Sequence, residues 1–398
     1  MEGTKNKDQR IQLHPLTFLD QKEGVLIGRF GTDLFALFPE DGANLVKQLQ
    51  AGVTMKEAID WYEQTYQEEI DIDDFLQTLN ELQFINEEKG EEEVIQKEKI
   101  AWQRAGQYAF SPWAFILYAS IVLSCILFIF NNPRVIPQRE HILFSEYSVV
   151  ITLGILFGQL PGLFIHESMH YLAGRRLGLP SKFGIGYRMY FLVFTTSMPG
   201  IWGIPKKNRY LPFLAGMLGD ILWYSFLVII AGLLYIKTGA IEGFGAFCLA
   251  LAMTTFLRLI WQFYFHLQTD IYYIMISILD CINLQEITRK YVKYSWYRLI
   301  RSGKTINFDK YTERDLKVAR WYSIFYSIGW AFMVGILVYL LPVAIKFLSS
   351  VFVNLYKGEV YVLDSVIFLL LFGIELGAVL YLFFRGRRNI RKRSGVSV

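Results

Sequence analysis

Six apolar runs govern what this chain can fold into. They lie at about 113–131, 147–168, 212–236, 244–266, 321–347 and 361–384, and each carries at most two Asp, Glu, Lys or Arg residues. A helix of about 20 residues crosses a hydrocarbon layer of about 30 Å. Inside lipid the backbone must satisfy its own N–H and C=O groups, which a helix does within one segment. The expected fold class is a mainly α-helical multi-pass membrane protein with about six transmembrane helices. The residues before 113 differ in texture, with charge spread among short periodic segments, and predict a small α+β domain ahead of the membrane part.

Loop charge sets the expected orientation. Between the second and third runs stand Arg175, Arg176, Lys182, Arg188, Lys206, Lys207 and Arg209 without one acid, and the tail over 385–398 is strongly basic. The positive-inside rule puts these segments in the cytoplasm, with both termini inside a bacterial-type cell membrane. Met1 to Arg10 is polar and lacks an apolar core, so no cleavable signal peptide is expected. Cys125, Cys248 and Cys281 are scattered, without metal or disulfide spacing, and are expected as core residues.

Ahead of the apolar runs, a flexible N-terminus over 1–12 leads to a domain over 13–88, then a charged linker over 89–112. Within the domain, Leu16 to Leu19, Val25 to Phe30 and Leu34 to Phe38 predict three short strands. Pro39 to Gly42 open a helix that runs to about Leu49. Thr54 caps a second helix, with Glu57 at the capping-box position, and Asp71 or Asp73 caps a third with an apolar stripe of Phe75, Leu76, Leu79 and Leu82. Phe84 and Ile85 predict a wing strand, giving a domain of winged-helix type. The third helix carries Asp73, Asp74 and Glu81 and no Lys or Arg, the wrong sign for phosphate, which excludes nucleic acid as its partner.

This order of elements resembles the peptide chaperone of pyrroloquinoline quinone biosynthesis and related leader-peptide recognition domains. The residues that carry the likeness are Gly28-Arg29-Phe30, Phe35 to Gly42, Thr54 to Ala58 and Ile72 to Leu76. The resemblance implies that the domain holds the leader of a ribosomally made precursor peptide, added as a strand along the sheet edge beside the third helix.

Phe164-Ile-His166-Glu167-Ser-Met-His170 writes H-E-x-x-H at the end of the second apolar run. On a helix, residues four apart share a face, so both imidazoles can grip one Zn²⁺. Glu167 is then the general base, taking a proton from the attacking water and passing it to the leaving amine. Ionisable residues next to lipid are costly and rarely stand there without a partner or a function, and two of only five His fall in this motif. A hydrolytic zinc site needs a third protein ligand. Asp220, His266, Asp270 and Glu375 are the candidates, and Asp270 best matches the depth of His166 and His170. Arg258 is a cation within the fourth run that can pair with Asp220 as a structural salt bridge. Between the second and third runs, the aromatic, Gly-interrupted stretch from Phe183 to Pro199 predicts a re-entrant or interfacial hairpin, either a packing insert or a platform for an extended substrate.

The H-E-x-x-H motif, followed by Leu214-Ala-Gly216-Met-Leu-Gly-Asp220 and by Asp270-Ile-Tyr-Tyr273 with Asn283-Leu284, resembles the site-2 protease family of intramembrane zinc metalloproteases. The likeness covers a core at 145–285 of the membrane domain, itself 113–384; Ile271 stands where that family commonly has Gly. The resemblance implies that His166, His170 and Asp270 ligate zinc, that Glu167 is catalytic, and that Asp220 supports the site or is the alternative ligand. The expected function is a membrane zinc endopeptidase for peptide maturation, as in bacteriocin biosynthesis, with a leader-bearing peptide, the lipid bilayer and a peptide exporter as partners. The competing expectations are regulated proteolysis of a membrane-anchored regulator, and a non-catalytic scaffold or immunity protein for peptide export.

Overall fold

The computed structural model describes residues 10–21, 24–29, 32, 34–86, 101–188, 191–281, 283–301, 304–308 and 311–394; for residues 186–188, 191–193, 375, 378–380 and 382–394 it describes the backbone alone. Residues 1–9 of the expected flexible N-terminus and 89–100 of the expected linker lie outside these residues. The chain divides into two compact units: Met1–Ala109 with Tyr171–Lys182 and Ser197–Leu211, and Phe110–His170 with Phe183–Thr196 and Pro212–Val398.

The first unit opens with an antiparallel sheet in the order β1 (Leu16–Gln21), β2 (Gly24–Arg29), β3 (Phe35–Phe38). Its register, Leu19 opposite Leu26 and Val25 opposite Phe38, sends Val25, Ile27 and Phe38 into the core. Three helices follow: α1 (Glu40–Gln50), α2 (Met55–Tyr66) and α3 (Ile72–Glu81). Each starts where the local chemistry stops it from starting earlier. Pro39 supplies an extended residue before α1. Thr54 and Glu57 close a reciprocal capping box on α2, with the Thr54 N–H donating to Glu57 Oε2 at 2.8 Å, and Asp71 accepts from the Asp74 N–H at the head of α3. Leu45, Leu49, Ala58, Leu76, Leu79 and Phe84 fill the space between sheet and helices. Burial of each large side chain contributes about 1.5–3 kcal/mol before entropy is counted. Phe84 and Ile85 do not return to the sheet. Ile85 bridges to Leu13 instead, because the segment before β1 lies alongside and takes those hydrogen bonds.

The same unit holds α4 (Gln103–Ala109) and a 3-10 turn at Ile201–Gly203 that packs against β1 and β2. Arg209, one of the residues counted as a topology charge, is buried here. Its guanidinium donates to the Ile204 carbonyl at 2.5 Å and the Trp202 carbonyl at 2.6 Å.

The remaining elements are α5 (Pro112–Asn131), α6 (Ser148–Gly158), α7 (Leu160–Arg176), β4 (Lys182–Arg188), β5 (Phe191–Ser197), α8 (Lys206–Thr238), α9 (Gly243–Trp261), α10 (Asp270–Leu279), α11 (Leu284–Leu299), α12 (Glu313–Asn354) and α13 (Glu359–Ser394). Five helices among the described residues are long and apolar enough to cross a membrane: α5, α6 continued by α7, α8, α9 and α12. The sixth expected run, 361–384, falls on α13, part of which has its side chains outside the described residues. Cys125 and Cys248 sit in the core of the second unit with Leu227, Val228, Leu249 and Leu251, and all three cysteines are free and buried.

Two departures from the expected runs position the site. The second run breaks at Gln159 between α6 and α7, because Pro161 has no N–H to return to the preceding turn. The fourth ends at Trp261, five residues early, and residues 262–269 form a loop instead. Gln262 closes that loop on itself, its carbonyl accepting from Thr269 Oγ1 at 2.8 Å and its Oε1 from the Asp270 N–H at 3.0 Å. The head of α6 is capped from afar. Tyr147 offers no side-chain cap, and the Asp364 carboxylate on α13 accepts from the N–H groups of Ser148 at 2.7 Å and Val149 at 3.0 Å.

Candidate metal centre

His166 and His170 leave one face of α7 one turn apart, and Asp270 stands at the first position of α10, where the Gln262 clasp delivers it. All three are buried. The two Nε2 atoms lie 3.2 Å apart, and each is 3.3 Å from Asp270 Oδ2.

The outer nitrogens fix the chemistry of the inner ones. His170 Nδ1 is 2.7 Å from the carbonyl oxygen of Pro212, which can only accept, so Nδ1 carries the proton. His166 Nδ1 is 2.9 Å from Asp220 Oδ2, again an acceptor, with the same consequence. In the neutral rings both Nε2 atoms are therefore lone pairs, and they face Asp270 Oδ2, a buried oxygen without a hydrogen-bond partner. Three converging acceptors repel one another unless a cation sits between them. Their spacing fits one: donors held at about 2.0–2.1 Å from a tetrahedral centre lie about 3.3–3.4 Å apart. The group could hold a metal ion.

Room for that ion comes from α8. A Cβ built at Gly216 would sit 2.6 Å from His166 Nε2 and closer still to His170 Nε2, so only a residue without a side chain lets this helix face the three ligands. Gly219, one turn on, lies over His166 and Met169 in the same way.

Behind His166 runs a polar chain through apolar helices. Asp220 is wholly buried, with Oδ2 on His166 and Oδ1 accepting from Arg258 Nη2 at 2.6 Å and Nε at 3.0 Å. Arg258 Nη1 donates to Gln159 Oε1 at 2.9 Å, and the Gln159 amide donates to the Leu251 carbonyl and to Thr254. Carboxylates placed on the far nitrogen of a ligating His orient the ring and raise its basicity. Asp220 therefore stands behind His166, while Asp270 stands among the three groups that could hold an ion. Arg258 pairs with Asp220 as expected, and through it reaches the site.

No family model, curated protein or solved structure matches the chain. The site has to be read from its own geometry.

Glu167 points to a different neighbour from its flanking histidine. Its Oε2 accepts from Thr196 Oγ1 on β5 at 2.8 Å. The expected hairpin between the second and third runs is present as the paired strands β4 and β5, and it brings Thr196 to α7. His266 is not in the metal group. It lies in the 262–269 loop, stacked on Trp330 with ring centroids 4.4 Å apart, and neither of its ring nitrogens has a hydrogen-bond partner. The Glu375 side chain lies outside the described residues. Gln159, Thr196, Pro212 and Gln262 were not singled out in the sequence. The available signals were a Gln and a Pro interrupting apolar runs.

Proposed function

We propose that this chain is a multi-pass membrane zinc endopeptidase that cuts a ribosomally made precursor peptide whose leader is held by its N-terminal domain. The observation that carries the reading is the convergence of His166 Nε2, His170 Nε2 and Asp270 Oδ2 at tetrahedral spacing, with a carboxylate, Glu167, beside the first ligand. The metal reading takes zinc because two imidazoles and one carboxylate are the ligand set of hydrolytic zinc sites, which leave a fourth position open.

Zinc bound there would polarise the scissile carbonyl and acidify water at neutral pH. The protein's own groups do the rest. Asp220 and the Pro212 carbonyl hold the two imidazoles with Nε2 inward. Glu167 takes the proton of the attacking water on its carboxylate and gives it to the amine of the leaving peptide. The apolar walls of α7 and α8 keep bulk water from the charged cluster, which strengthens each of these interactions. Five apolar helices support the membrane placement, and with α13 taken as a sixth crossing the Lys and Arg between the second and third runs support an arrangement with both termini cytoplasmic.

The order of three strands and three helices supports the leader-binding part of the reading, as does β3, which among the described residues pairs with β2 on one side only. An unpaired strand edge is a template for an extended peptide. Holding the leader there raises the local concentration of the segment to be cut, so the active site itself need not bind it tightly.

The test uses detergent-purified full chain and a precursor peptide encoded beside its gene. Wild type should hold about one zinc per chain and cleave the peptide, and deletion of the leader should raise KM by roughly tenfold or more. Glu167→Gln should retain the zinc and lose cleavage. Asp270→Ala and His166→Ala should lose both. Cleavage by Glu167→Gln would overturn the mechanism, and freshly prepared wild type without zinc would favour the non-catalytic scaffold.

A further inference from the structure

Two contacts fasten the β4–β5 hairpin to the face of α7 that carries Glu167. Phe183 on β4 stacks on Phe164 with ring centroids 6.2 Å apart, and Thr196 on β5 reaches Glu167. Phe164 and Glu167 are three residues apart on α7 and so share a face. A threonine hydroxyl has one proton. Thr196 Oγ1 is 2.8 Å from the Glu167 carboxylate and 3.0 Å from the Glu167 carbonyl. The carbonyl belongs to a helical turn that already engages it, whereas the carboxylate is charged and the stronger acceptor.

We propose that Thr196 is the positioning residue for Glu167: its hydroxyl holds one carboxylate oxygen so that the other is free to take a proton. This rests on the reading of Glu167 as the base. It extends the familiar requirement that a catalytic base be oriented by a third group, and it makes the hairpin part of the catalytic apparatus. A peptide that shifts the hairpin would shift the base with it. The hydroxyl acts by donating to the carboxylate, so threonine and serine suffice and valine, of the same shape, does not.

The experiment uses the full chain loaded with cobalt(II) and titrated with acetohydroxamate, a small metal chelator whose hydroxyl proton passes to a nearby carboxylate, followed by visible absorption. Thr196→Val should leave the cobalt spectrum of the free protein unchanged and weaken acetohydroxamate by about tenfold or more, in the range seen when a group supporting a metal site is removed. Thr196→Ser should stay within about threefold of wild type, and Glu167→Gln should be weakened at least as much as Thr196→Val. With peptide, Thr196→Val should lower kcat while KM stays within about twofold. Wild-type acetohydroxamate affinity in Thr196→Val, an altered cobalt spectrum in that variant, or no rescue by Thr196→Ser would each overturn the proposal. Cleavage by Glu167→Gln would instead remove the base reading, and the acetohydroxamate titration would still report whether Thr196 holds the carboxylate.

Discussion

The N-terminal domain and the apolar helices solve one problem, the unpaired polar group, in opposite ways. In the domain the partners are neighbours in sequence: Thr54 with Glu57 and Asp71 with Asp74, each three residues apart. Among the apolar helices α5 and α12 are capped locally too, by Ser111 and Thr312, but the partners around the candidate site and at the head of α6 come from far along the chain. Asp364 caps α6 from 216 residues away, Asp220 meets His166 from 54, and Arg258 meets Gln159 from 99. Water can finish an imperfect cap on a soluble domain, so local chemistry is enough. Away from water a free helix end or a charge has no such supply, and where no local cap stands it is matched by a side chain from another helix. Polar residues in the second setting are thus tied to the whole fold, and the candidate metal site is built from those ties.

Substitutions can break or sharpen this contrast. The largest effect is expected from Arg258→Met, which leaves the wholly buried Asp220 carboxylate uncompensated; a loss of about 3–5 kcal/mol is expected, measured by thermal unfolding in detergent. A change below 1 kcal/mol would mean that water reaches this pair. Asp364→Ala strips both N–H groups at the head of α6 and should cost about 2 kcal/mol in the same assay. Asp220→Asn keeps the shape and should weaken zinc by about 10–100-fold in competition with a chelator, because the His166 ring loses its charged support. The smallest effect belongs to the N-terminal domain. Tyr62 donates to Asp41 at 2.6 Å, and Tyr62→Phe should cost about 1 kcal/mol.

That last contribution has a defined pH window. The Tyr62 hydroxyl holds the Asp41 carboxyl below its ordinary value, and the bond to Asp41 pushes the Tyr62 phenol up to about 12. The stability is fully present above the ordinary carboxylate pKa of about 4 and below the ordinary phenol pKa of about 10. It is lost as pH falls through the lowered Asp41 value, or rises through the raised Tyr62 value. Unfolding curves of wild type and Tyr62→Phe should accordingly converge in acid and in strong base.

The same contrast decides what could be read from the sequence. Thr54-x-x-Glu57 and Asp71 were legible because cap and partner lie within one turn, and the strands were legible from short apolar runs about the turn-like Gln21 to Gly24. His166, Glu167 and His170 were legible because one helical turn contains them. Asp270 was reached by matching depth along two helices and through the family resemblance. The Asp364 cap and the Thr196 contact carry no local pattern at all; each needs the packing of helices whose order along the chain does not give their neighbours. The wing strand expected at Phe84–Ile85 failed for a related reason, since the segment around Leu13 took the pairing.

Gly216 separates two properties that ligand substitutions always confound, possessing the donors and possessing the space between them. One methyl group there would overlap both Nε2 atoms, so the imidazoles would have to turn away or α8 to move back, although His166, His170, Asp270 and their supports are all retained in the sequence. Gly216→Ala is therefore a lock without a keyhole: a protein that keeps every ligand residue and has nowhere to put the ion.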